Sequence, residues 1–105
     1  MSAMYILDEQ GEPRVEPDLM IWSKWFAEDE RRLVRKNSFY VGDDEVTVST
    51  VFLGLDHGWA CDKPPVLWET MVFGGEHDQD QWRHRSHEDA VRVHEQLVTD
   101  LMDGA

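Results

Sequence analysis

The sequence predicts an α+β fold: an antiparallel sheet of four to five strands with two helices packed on one face. Three observations predict it. Two segments rich in β-branched and aromatic residues, 46–53 and 66–73, are bounded by Gly, Pro and Asp, as core strands are. Strand-like segments follow one another with few helices between them, which suits antiparallel pairing. Two further segments, 19–28 and the stretch after Ser86, carry apolar residues at helical spacing. No repeat, low-complexity tract or long linker interrupts the chain, so residues 1–105 read as a single domain.

Taken in order, Tyr5, Ile6 and Leu7 form a short strand closed by the Asp8–Gly11 turn, and Pro13 and Pro17 keep the next stretch extended. Asp18 is a good N-cap for a first helix, whose stripe of Leu19, Trp22, Trp25 and Phe26 reads as core. A strand over 31–41 then turns at Gly42-Asp43-Asp44 into the 46–53 strand as a hairpin. Val46, Val48, Thr50 and Phe52 share one face of that strand; Thr47, Ser49, Val51 and Leu53 share the other, and its second half reads as buried on both faces. In the next strand Val66, Trp68, Thr70 and Val72 oppose Leu67, Glu69, Met71 and Phe73, where Glu69 reads as an exposed carboxylate. An acidic loop over 76–80 leads to a short strand around Trp82-Arg83-His84. Ser86 caps the last helix, with Asp89 three residues on; Ala90, Val93, Leu97, Val98 and Leu101 form its apolar stripe, and Gly104 stops it.

The 105 residues carry 22 acidic and 10 basic side chains, a formal charge of −12. The charge is unevenly spread: residues 1–30 sum to −6, residues 31–42 to +4, residues 43–82 to −8 and residues 83–105 to −2. Such a balance repels nucleic acid and favours a basic protein or nucleoprotein partner. Plain solubility is the competing explanation. The basic run of Arg31, Arg32, Arg35 and Lys36 reads as a charge-guarded edge strand. A single cysteine, Cys61, forbids an intrachain disulfide and suits a reducing cytoplasm. No apolar run reaches the roughly 18–20 residues of a membrane span, and the amino terminus lacks the pattern of a secretory signal. Of the five tryptophans, three suit the core and one or two suit an exposed anchor, with Trp59 the chosen one.

The two strand segments resemble a family of small proteins encoded by bacteriophages and prophages. The resemblance rests on Val48-Ser49-Thr50-Val51-Phe52-Leu53-Gly54-Leu55-Asp56-His57, then Pro64-Pro65 and Trp68-Glu69-Thr70-Met71-Val72-Phe73-Gly74-Gly75. Downstream, Trp82-Arg83 and Glu88-Asp89-Ala90 with His94 match the same pattern, so the likeness covers about residues 46–98. The loop Gly58-Trp59-Ala60-Cys61-Asp62-Lys63 departs from the family's Gly-rich version, and Val93 stands where the family commonly has Gly. The resemblance implies a mobile-element origin and carries over no catalytic residue.

Chemistry has few footholds. Asp56, His57 and His94 are the best acid–base candidates, since a carboxylate can orient an imidazole. The plainer reading has Asp56 bonding its own loop backbone and His94 packed at the helix edge. His77, Asp78, Asp80, His84 and His87 hold metal-ligand types, but His84-x-x-His87 lacks a second ligand pair. No phosphate-cradling Gly loop or cofactor motif appears, so no cofactor, membrane or small-molecule partner is expected. The expectation is a non-enzymatic, acidic phage protein in the host cytoplasm that occupies a basic nucleic-acid-binding surface, as anti-CRISPR proteins do. Its contacts would come from Asp43, Asp44, Glu45, Glu76, Asp78 and Asp80, with Trp59 as anchor. A small enzyme centred on His57 and His94 is the rival reading, and a structural phage component is a third.

Overall fold

A computed structural model describes residues 3–58 and 62–103. Its order is β1 (Tyr5–Leu7), β2 (Pro13–Val15), α1 (Leu19–Phe26), α2 (Asp29–Arg32), β3 (Leu33–Val41), β4 (Asp44–Phe52), β5 (Trp68–Phe73), β6 (Gln81–His84) and α3 (His87–Met102). β3 to β6 form an antiparallel meander in sequence order, and β1 pairs with β2 in a separate hairpin. The α+β class and the antiparallel sheet are as the sequence predicts. α3 packs on one face of all four strands, and α1 reaches the same side through Trp25, which meets Phe52 edge to face.

Local chemistry explains both the elements and three departures from expectation. Asp18 Oδ1 accepts from the amides of Met20 and Ile21 and starts α1; Ser86 Oγ accepts from Asp89 N and starts α3. The strand expected from Arg31 begins instead at Leu33, because Asp29, Glu30, Arg31 and Arg32 form a helical turn. Acids lead that turn and bases end it, as the peptide dipoles favour, and Arg32 stacks on Phe26 at 4.1 Å. The stretch beginning at Pro13 is not merely extended: it pairs with β1, since Asp8 Oδ1 accepts from the amides of Gln10 and Glu12 and folds the turn tightly. Glu69 is not exposed; its side chain is only 16% accessible and accepts from Arg83, directly opposite on β6, at 3.0 Å.

The alternation read in the two central strands holds on the α3 side. Val46, Val48, Thr50 and Phe52 are buried there, as are Trp68, Thr70 and Val72 of β5. On the other face Val51 and Leu53 are only half-buried, so the second half of β4 is not buried on both faces. The core divides in two. An aromatic end joins Phe52, Trp68, Trp25, Ile6, Leu67 and Ala90; an aliphatic end joins Val46, Val48, Val72 and Leu101. Between them, one residue pair deep, lie Thr50 and Thr70, directly opposite each other across β4 and β5.

Candidate functional site

The sheet brings two separated acidic stretches to one end of the molecule. Asp43 lies in the β3–β4 turn and Asp44 and Glu45 open β4, while Glu76, Asp78 and Asp80 lie in the β5–β6 connection. Gly74 fastens the two together. Its φ of +87° suits glycine, and a Cβ there would overlap the carbonyl oxygen of Glu45. Two of the six carboxylates also shape the connection itself: Asp78 Oδ1 accepts from Gly74 N at 2.6 Å, and Asp80 pairs with His77 at 3.2 Å. Asp44 and Glu76 stay exposed and rim a hollow of about 140 Å³ floored by Val46, Val72 and Leu101.

A second hollow of about 240 Å³ lies on the other side of Leu101. Val72, Leu97 and Leu101 floor it, while Trp82, His77 and Asp100 stand at its sides. The Trp82 ring, 36% exposed on the short edge strand β6, is half of an apolar anchor whose other half is this floor. Sequence reasoning placed the anchor at Trp59, which lies outside the described residues, as do Cys61 and Gly104. Trp82 lies opposite Thr70 across β5 and β6 and so shares the face on which α3 packs, a placement that depends on the strand register.

The acid–base candidates are differently placed. Asp56 Oδ1 accepts from Gly58 N and Val66 N, both at 2.8 Å, and so closes its own loop as the plainer reading held. Those two amides, Gly58 first, hold its carboxyl below the ordinary 3.8 against the opposing effect of burial. His57 is exposed on that loop. His94 is not at the helix edge: it is 1% exposed, at the centre of the α3 face. Its Nδ1 lies 2.7 Å from Thr50 Oγ1 and its Nε2 lies 2.7 Å from Asn37 Oδ1, so neither ring nitrogen is open to a substrate.

Thr50 Oγ1 in turn lies 2.7 Å from Thr70 Oγ1, and Thr70 Oγ1 lies 2.9 Å from His84 Nε2. Five side chains from β3, β4, β5, β6 and α3 thus form one polar belt through the core. Burial lowers both histidines below their ordinary 6.5. His84 is engaged in this belt, His77 pairs with Asp80, and the His87 ring sits edge-on to Trp68, so the metal-ligand residue types of the 77–87 region face different ways. Among the described residues, no three His, Cys, Asp or Glu side chains converge to hold a metal ion, and no helix is long and apolar enough to cross a membrane. Comparisons with family models, with curated proteins and with solved structures each return no match.

Proposed function

We propose that this is a non-enzymatic binding protein of a phage or other mobile element, which docks its acidic end on the basic, nucleic-acid-binding surface of a host defence complex in the manner of an anti-CRISPR inhibitor. One observation carries the reading: two acidic turns, far apart in sequence, meet at one sheet end beside an apolar hollow with a half-exposed tryptophan. The carboxylates of Asp43, Asp44, Glu45 and Glu76 replace phosphates against Lys and Arg of the partner and steer its approach. Trp82, with the Val72 and Leu101 floor, supplies the desolvated contact that slows release.

Such capture weakens as salt rises, because the Debye length falls from about 30 Å at 0.01 M to about 10 Å at 0.1 M. The partner is recovered from host lysate by pull-down and its association then timed across that range. Charge reversal at Asp43, Asp44 and Glu45 slows association, with an unchanged circular dichroism spectrum. Trp82→Ala instead speeds dissociation, by a factor worth roughly 2 kcal/mol. A complex that ignores salt and these reversals, or that holds DNA or RNA at the same time, defeats the reading.

A further inference from the structure

The polar belt has a direction, and the direction follows from one end. An amide oxygen only accepts, so Asn37 Oδ1 requires the proton of His94 to sit on Nε2. The lone pair of a neutral His94 is then on Nδ1, and the Thr50 hydroxyl must donate to it. Thr50 Oγ1 is left to accept from the Thr70 hydroxyl, and Thr70 Oγ1 to accept from His84 Nε2–H. With both rings neutral, any other arrangement leaves one of these contacts with no proton between its atoms, or with two. Burial at both ends disfavours the charged imidazoles, in agreement with this order.

The two ends are not equivalent. His84 has an unused Nδ1 that can take a proton without disturbing the belt. His94 has no unused nitrogen and is 1% exposed. A proton that binds His84 Nδ1 can nonetheless reach His94 by shifts along the belt. The His84 Nε2–H bond breaks as a Thr70 O–H forms; the former Thr70 O–H proton passes to Thr50; the former Thr50 proton passes to His94 Nδ1. Every bond broken is matched by one formed, and the belt ends reversed, with the charge on His94 and His84 neutral in its other tautomer. A second proton leaves one hydroxyl hydrogen without an acceptor in the belt.

We propose that His84, Thr70, Thr50 and His94 form a buried proton relay that admits one proton and no second, and that this relay makes the seating of α3 on the sheet acid-sensitive. The surrounding charges leave the relay in control. Arg35 of β3 and Glu95 of α3 face His94 and pair with each other at 2.6 Å. His84 faces Glu69 of β5, already paired with Arg83, and Asp89 and Arg92 of α3, which are 3.7 Å apart. β4 contributes only the Thr50 hydroxyl.

Imidazole ¹⁵N–¹H correlation spectra test this on the full chain. Above pH 7 both rings are expected as Nε2–H tautomers. On acidification below 6.5 they are expected to respond together with one common midpoint, His84 changing tautomer as His94 charges. Thr50→Val cuts the relay, so His84 titrates alone and His94 stays neutral; Thr50→Ser restores the common midpoint. Should Thr50→Val fail to fold, Asn37→Asp serves at a solvent-exposed position, where a carboxylate facing His94 Nε2–H raises the common midpoint of both rings. An Nδ1–H tautomer at either ring at neutral pH overturns the proposal. So does a His94 titration unmoved by Thr50→Val, or an Asn37→Asp shift confined to His94.

Discussion

The two ends of the core are built on different terms, although the same two strands and one helix run through both. At the aromatic end Phe52 meets Trp25 and Trp68 edge to face, with ring centres 5.6 Å apart in each case, and large side chains fill the space. At the aliphatic end three valines and Leu101 do the same work, and hollows of about 140 and 240 Å³ remain on either side of Leu101. Hollows of about 380 and 390 Å³ also border the aromatic end, beside Trp25 and beside Leu67 and Trp68, but only those at the aliphatic end are floored by Val72 and Leu101 next to the acidic turns.

The comparison is broken most severely at the aromatic end. Phe52→Ala is expected to cost about 3–5 kcal/mol in a denaturant titration, because Trp25, Trp68 and the other side chains of its cluster cannot all collapse onto the gap. Acid comes next and acts on the belt between the two ends. Both histidines are lowered in the fold relative to 6.5, so their contribution is fully present above that value and is lost as pH falls below it. Stability is expected to fall by up to about 1.4 kcal/mol per pH unit for each imidazole that stays neutral in the fold. A pH series of melts with Thr50→Val as reference reads it, and a flat profile between pH 7 and 5 speaks against neutral buried rings. Leu101→Ala is expected to cost only about 2 kcal/mol, the low end for such a change, since the hollows already deprive this side chain of neighbours. A loss equal to that at Phe52 would erase the distinction between the ends. Smallest is Ser86→Ala, about 1 kcal/mol, through the lost cap on the start of α3 beside Leu67 and Trp68.

Much of this plan is legible in the residues. The alternation of 46–52 and 66–72 marks the buried faces, and Ser86 with Asp89 marks the start of α3. Of the β1–β2 hairpin, the first strand and its turn are legible, but the second strand is not, because it is three residues long and opens on Pro13. α2 escapes notice because a four-residue turn has no hydrophobic period. Of the candidate site, the acidic residues are visible in sequence, but their meeting depends on the β4–β5 register and on Gly74. The belt leaves a fainter trace: Thr50 and Thr70 interrupt apolar faces at matching places, and His94 falls four residues after Ala90 and three before Leu97, inside the stripe. Each looks tolerable alone. Only the register shows that they interrupt the same layer.

Gly74 also bears on which sequences this fold accepts. It is a partly exposed turn residue, a place where substitution is ordinarily free, yet any side chain there drives the β5–β6 connection away from the Glu45 carbonyl of β4. In a saturation library selected for folding, position 74 is therefore depleted as deeply as Val48 or Val72, while the neighbouring acids at 43, 44 and 76 drift freely. Selection for partner capture would reverse that contrast at the acids and leave position 74 unchanged. The arrangement of the negative charges is thus inherited from a residue that carries no charge and no side chain.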